Sequence, residues 1–416
     1  MRDDLPSTRR RFIAGTGSVL GATLAGCTGS SSDESASTTV TDAVTTSSDD
    51  TTSAEPTADA TETTTATGPY SADLSPVGTV EFDSVPETVF TVYPQYLDMA
   101  VALGHGETVN AVYVPEMSGT TMDHYYEHLD GVSVEWQDLT DPLSDGFAKE
   151  SLYAHNSDVH LVDPAWVSTQ DGWDAGDIDE VATQLGPWFG NFYSGTQGRP
   201  PEGYSDYQYY DLWELFGHVA DVFQERERYE ALAAVHTDLV ETIQSQLPPK
   251  ADRPTAVRAT LSSDGSTFWT YHLNRPGYWL ADTRPLGAND AFTDQDWGGL
   301  WGTVDYETML SADPDVILHL WGLTPNYSMA DTRAMLEDDA AGQQLTAVEN
   351  DRVYPAGMRY QGPLMNLFQI EMGAKQLYPE IFGAWPDYED GEHYPEIPEG
   401  ERLFDRQRVA DIVTGA

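Results

Sequence analysis

The chain has 416 residues, 69 acidic against 20 basic, for a formal charge of −49. It holds one cysteine, and Lys149, Lys250 and Lys375 are its only lysines. So acidic a field excludes nucleic acid and anionic lipid headgroups as favourable partners, and a lone thiol forms no disulfide framework. An acidic, lysine-poor surface suits very salty media, where screening over a few ångströms suppresses self-repulsion, and points to a halophile.

The first element is Thr8–Cys27, TRRRFIAGTGSVLGATLAGC. Three arginines precede an apolar run, Phe12–Gly26, of about 15 residues, short of the roughly 20 that a membrane-crossing helix needs. A basic region, a short apolar region and a small-residue exit instead make a signal peptide, residues 1–27. Thr8-Arg9-Arg10-Arg11-Phe12 resembles the twin-arginine export signal, which moves folded proteins. Leu24-Ala25-Gly26-Cys27 resembles a lipobox, in which Cys27 is acylated and becomes the new N-terminus. Stable anchoring at Cys27 then needs two or more acyl chains. Residues 28–69, rich in Thr, Ser, Ala and Asp, bury too little apolar surface to fold and read as a disordered tether. About 345 residues remain, enough for two domains.

The folded part begins with a β-rich run, Val89–Val92, stopped by Pro94, after which Leu97, Ala100, Val101 and Leu103 recur at helical spacing up to Gly104. The strand signal returns at Val109–Val114 and at Asp158–Asp163, before Pro164. Strands alternating with helices predict a parallel α/β architecture with ligands beyond the strand C-terminal ends. Between Tyr207 and Pro248 the chain turns helical, with a break expected near Glu225–Glu227; the second part spans roughly 33 Å at 1.5 Å per residue. Thr255–Leu261 reads as a strand, Leu280–Phe292 as a polar helix-and-loop region, Asp315–Leu320 as a buried parallel strand, and Val353–Pro355 as a last short strand. A helix is predicted over Pro363–Tyr378, and residues 386–416 read as an acidic tail, weakly helical at Arg406–Val413.

This order of leader, lipobox, tether, lobe, long helix and lobe resembles the substrate-binding proteins of ABC importers for iron–siderophore complexes and corrinoids. Ala154-His-Asn-Ser-Asp-Val-His-Leu-Val and Leu310-Ser-Ala-Asp-Pro-Asp-Val-Ile-Leu carry the resemblance as paired strand entries. Leu345-Thr-Ala-Val-Glu-Asn-Asp-Arg-Val-Tyr-Pro, Gln361-Gly-Pro and Glu371-Met-Gly-Ala-Lys-Gln-Leu-Tyr-Pro extend it over residues 80–385. The resemblance implies two Rossmann-like α/β lobes with parallel-type sheets, joined by one long interlobe helix, with a ligand cleft between them. The expected divisions are an N-terminal lobe at 70–224, the helix at 225–248 and a C-terminal lobe at 249–385. It implies a monomer that changes no bond, carries no cofactor of its own and hands its ligand to ABC permease subunits. It also implies one docking glutamate per lobe, which carries over to Glu150 and Glu307; the first-lobe motif departs from the family pattern at Asn156-Ser157.

Strand-end positions nominate the cleft residues: Tyr93, Tyr96, Tyr113, Asp163, Trp166, Trp269, Tyr271, Trp321, Arg359 and Tyr360. Recurrent aromatics suit a bulky planar or chelated ligand, and Arg359 suits an anionic one. Trp173, Trp188, Phe189 and Tyr193 either cap the cleft or staple their own loop. The leading expectation is a ferric siderophore of hydroxamate type; a corrinoid or haem receptor is the alternative, and a surface enzyme or chelatase-like protein the rival from another class. His124 and His128 stand four apart, as a metal pair would, but no further ligand follows at short spacing, so no protein-held metal is expected; His236, His272 and His319 read as structural. Nor is there a nucleophile elbow, phosphate loop or catalytic cysteine to suggest an enzyme.

Overall fold

The structure, a computed structural model, describes residues 68–390 and 393–416. Cys27, the leader and the tether through residue 67 lie outside the described residues. Strands β1 (Tyr70–Leu74) and β2 (Gly78–Phe82) form an antiparallel hairpin whose alternation buries Ala72, Leu74, Val80 and Phe82.

In the first lobe β3 (Val89–Thr91) and β4 (Val159–Leu161) pair in parallel and are wholly buried. Single parallel bridges add Val109 beside Val89, Thr140 beside Ala111 and Trp188 beside His160. The continuous strand expected at Val109–Val114 does not form. Val114 takes φ 42°, strained for a β-branched residue, and turns the chain into a helix. The helices here are α1 (Pro94–Ala102), α2 (Pro115–Tyr126), α3 (Lys149–His155), α4 (Pro164–Val167) and α5 (Ala175–Gln184). A proline opens α1, α2 and α4 directly after a strand segment, where its fixed φ suits the first turn and its missing N–H costs no bond.

Helix α6 (Leu212–Phe223) starts at a reciprocal cap between Asp211 and Glu214 and ends at Gln224, which is left-handed at φ 56°. That residue makes the break, and α7 (Arg226–Gln246) follows. Its 21 residues extend about 31 Å and lead from the first sheet to the second, burying Leu232, Val235, Leu239 and Ile243 as one stripe.

The second lobe holds a six-stranded sheet of β5 (Thr255–Leu261), β6 (Phe268–Tyr271), β7 (Asn289–Asp290), β8 (Trp301–Val304), β9 (Val316–His319) and β10 (Val353–Pro355). The order is β10-β9-β5-β6-β8, with β7 also on β5. β10, β9, β5 and β7 run parallel, but β6 and β8 are antiparallel. The wholly parallel expectation is therefore corrected in this lobe: Ser262-Ser-Asp-Gly-Ser-Thr267 closes a hairpin, with Ser262 N donating to Thr267 O and Gly265 at φ 69°.

Helices α8 (Tyr306–Ala312), α9 (Met329–Asp338), α10 (Thr346–Glu349), α11 (Pro363–Leu377), α12 (Pro379–Phe382) and α13 (Arg406–Thr414) complete the lobe. α11 is buried along its whole length. The C-terminal segment is not a loose tail. Glu371 on α11 accepts from Arg406 Nη2 at 3.0 Å, from the Tyr394 hydroxyl at 2.8 Å and from Leu403 N at 2.6 Å, all buried or nearly so. Tyr394, Ile397, Phe404 and Val409 then join the core.

Candidate functional site

The strand C-terminal ends of both lobes meet around one cation. Arg359 follows β10, and its Nη1 donates to the Tyr271 hydroxyl at 2.6 Å and its Nη2 to the Tyr360 hydroxyl at 2.8 Å. Its guanidinium carbon lies 4.3 Å from the Trp279 ring centroid, 4.8 Å from Tyr360 and 5.6 Å from Trp321. Among the described residues no carboxylate pairs with it, although the chain carries 69. Its Nε is buried without a partner. The side chain as a whole stays partly open to solvent. A guanidinium is always charged, and a buried cation without a counter-ion is costly unless something anionic meets it.

Tyr360 carries this centre across to the first lobe. Its ring lies 5.3 Å from Tyr93, 6.5 Å from Tyr113, 5.6 Å from Trp279 and 5.7 Å from Trp321. Tyr93 in turn stacks on Phe192 at 4.9 Å and meets Trp166 edge-on at 5.5 Å. Each side arrives by a strand end: Tyr93 after β3, Tyr113 after the bridge at Ala111, Trp166 after β4, Trp321 after β9. Trp321 is held at φ 72°, an uncommon conformation for a large side chain, with its N–H on Gly357 O at 3.0 Å. With Val114, which follows Tyr113, it places one strained residue on each side of the cleft, at a cost of about 1–3 kcal/mol each.

Burial raises the Tyr93 pKa well above its ordinary value, with Tyr360 adding to it, and burial raises Tyr113 as well. These phenols stay protonated, so they serve as rings and hydrogen-bond donors rather than as tyrosinate ligands for a bare ferric ion.

Seven of the ten nominated residues thus come together: Arg359, Tyr360, Trp321, Tyr271, Trp166, Tyr93 and Tyr113. Three do not. Asp163, 3% exposed, is spent on Ala165 N at 2.7 Å, Phe192 N at 2.7 Å and the Tyr207 hydroxyl at 2.5 Å. Burial pushes its carboxyl up to about 6 against these bonds. It fixes the Phe192 loop instead of facing a ligand. Tyr96 is buried below and takes Asn191 N on its hydroxyl at 2.8 Å. Trp269 lies within β6 rather than after it, 37% exposed and outside the ring cluster.

Phe192 and Trp279 belong to the centre and escaped the sequence reading. Trp279 follows Gly277, whose φ of 125° and close approach to Gly195 O, 2.6 Å from where a Cβ would stand, admit only glycine. The Gly277-Tyr-Trp stretch was the available signal. Trp173 and Trp188 are staples: their indole N–H groups donate to Phe147 O at 2.6 Å and Ile178 O at 3.0 Å. His124 is buried on α2, and His128 lies 2.6 Å from Tyr394 O, so this pair holds the C-terminal segment. His319 Nε2 accepts from Leu261 N at 3.2 Å, and His272 meets Asp290 at 3.1 Å. Two surface cavities of about 400 and 410 Å³ lie away from Arg359, one between α9 and residues 385–389, the other at Gly104–Gly106 and Val413.

Glu150 and Glu307 occupy matching places. Each is exposed in the first turn of a short helix, α3 or α8, that ends on a left-handed residue, Asn156 or Asp313, just before β4 or β9.

The family model for periplasmic binding proteins matches residues 89–360, about two thirds of the chain and every strand end around Arg359. The chain belongs to the periplasmic binding protein family. A periplasmic binding protein from Veillonella parvula shares its fold at TM-score 0.52 and 18% identity, covering 77% of this chain and 94% of that one. A periplasmic solute binding protein from Mycobacterium smegmatis does so at TM-score 0.52 and 16% identity, with 76% and 99% covered. A third, described as an ABC-type Fe3+-hydroxamate transport system from Saccharomonospora viridis, reaches TM-score 0.50 at 17% identity, with 76% and 99% covered. No functionally curated protein matches the chain in sequence. As a periplasmic binding protein the molecule is an extracytoplasmic, two-lobed ligand carrier, and the aromatic centre lies where such a fold places its cleft.

Proposed function

We propose that this binding protein is the receptor of an ABC importer and carries a bulky anionic metal chelate, a ferric siderophore, in the cleft around Arg359. One observation carries the reading: a guanidinium with no carboxylate partner, walled by Trp279, Trp321 and Tyr360, in a chain of −49. An ordinary arginine here would have found one of 69 carboxylates. A ligand enters by replacing the contacts that Tyr360 makes to Tyr93 and Tyr113. The hydroxamate expectation is narrowed by charge, because three hydroxamates only neutralise Fe3+ and leave no net anion for Arg359 unless an arm supplies one.

The receptor is exported by the twin-arginine route, anchored through lipid at Cys27 and held off the membrane by its tether. It works as a monomer in a salty medium, and Glu150 and Glu307 register the two permease subunits through charge-assisted contacts. Calorimetric titration in molar salt with ferric siderophores, haem and cobalamin tests the ligand class; saturable binding of none of them refutes the reading. Replacement of Cys27 by Ser should release the protein from the membrane fraction, and retention would refute the anchor.

A further inference from the structure

Five large apolar side chains stand exposed among the described residues, and two of them are Trp269 and Trp301, 37% and 38% exposed. They share one face of neighbouring strands. In the β6–β8 register Tyr271 stands opposite Trp301, and Trp269 opposite Thr303. Trp269 lies two residues before Tyr271, so all three side chains leave the sheet on the same side. The Tyr271 and Trp301 rings are 6.4 Å apart, and the Tyr271 hydroxyl is the one that receives Arg359. One surface thus runs from the unpaired guanidinium through a phenol to two hydrated indoles. β8 is the edge of the sheet, and no neighbouring strand covers it.

Hydrated indole is unfavourable, and two indoles held side by side on a surface this acidic call for an occupant. Trp173 and Trp188, by contrast, are buried with their N–H groups satisfied. The occupant must bring negative charge to Arg359 and flat apolar area to Trp269 and Trp301. We infer that the chelate is aryl-bearing and anionic, of the catecholate or phenolate class, with an arm stacked on the Trp269–Trp301 face while its charged metal-binding head meets Arg359. This rests on the receptor reading and narrows its substrate. Aliphatic hydroxamate arms would meet the indoles only through methylene groups, without the face-to-face match of two π systems.

The test is calorimetry on the full chain in molar salt, with the gallium complexes of a hexadentate tris-catecholamide and of a hexadentate aliphatic trihydroxamate. The wild type should bind the catecholate complex at least about tenfold more tightly. The double variant Trp269→Ala/Trp301→Ala, altered only at exposed positions, should lose about tenfold for that complex while any affinity for the hydroxamate shifts less than about twofold. Equal loss for both complexes, unchanged catecholate affinity, or a preference for hydroxamate overturns the inference and leaves the receptor standing. Binding of neither complex overturns the receptor reading and the inference together.

Discussion

Asp98, inside α1, caps the start of α11 from another part of the chain: its Oδ2 accepts Leu364 N at 2.9 Å. Gly362 has no capping side chain of its own, and a Cβ there would collide with that carboxylate. Tyr126 donates its hydroxyl to the other oxygen. Despite these bonds, burial pushes the Asp98 carboxyl up to about 7. A carboxyl raised on folding binds its proton more tightly in the folded state, so its contribution is fully present below about pH 4 and is lost as pH rises through about 7.

Guanidinium unfolding in molar salt should therefore show stability falling between about pH 4 and 7, with Asp98 supplying roughly 1–4 kcal/mol of the change. Replacing Asp98 with Asn should flatten that slope. An unchanged slope would remove Asp98 as its source.

Arg359→Ala should weaken an anionic chelate by more than about 1 kcal/mol, the scale of a lost charge-assisted bond. Its melting temperature should hold or rise, since the change removes a buried unpaired cation. Titration calorimetry beside thermal unfolding reads both, and unchanged affinity would move the ligand elsewhere.

Glu371→Gln leaves Arg406 buried with its charge unmet, and should cost about 3–5 kcal/mol. The loss should appear in denaturant midpoints with Arg359-dependent binding intact below the transition. A loss under 1 kcal/mol, roughly the worth of an exposed pair, would mean that the C-terminal segment is not locked to α11 as described.

Glu307→Arg should spare ligand affinity and abolish ligand-stimulated ATP hydrolysis by the reconstituted importer. Glu150→Arg should act likewise through the other lobe. Normal stimulation by both variants would reject their docking role.

Local signals in the sequence reached some of the site and missed the rest for definite reasons. Tyr93, Trp166, Trp321 and Arg359 each follow a short apolar run, and that adjacency is a property of the chain alone. Trp279 and Phe192 follow no such run; they reach the guanidinium because Gly277 lies against Gly195, a contact between segments some 80 residues apart. Asp163 shows the converse. Its place after β4 nominated it, and only the packed loop reveals that Phe192 N and Tyr207 occupy its oxygens.

By itself the sequence determined where chain direction changes: prolines and glycines punctuate strands and helices, and burial requires apolar periodicity whatever the partner. It also determined the charge of −49, which makes any unmatched cation conspicuous. Tertiary structure alone decided that the Ser262–Thr267 turn reverses β6, putting Trp269, Tyr271 and Trp301 on one face. It alone decided, too, that no carboxylate stands beside Arg359. Both are facts of distance between segments remote in the chain, and periodicity along a single segment does not encode them.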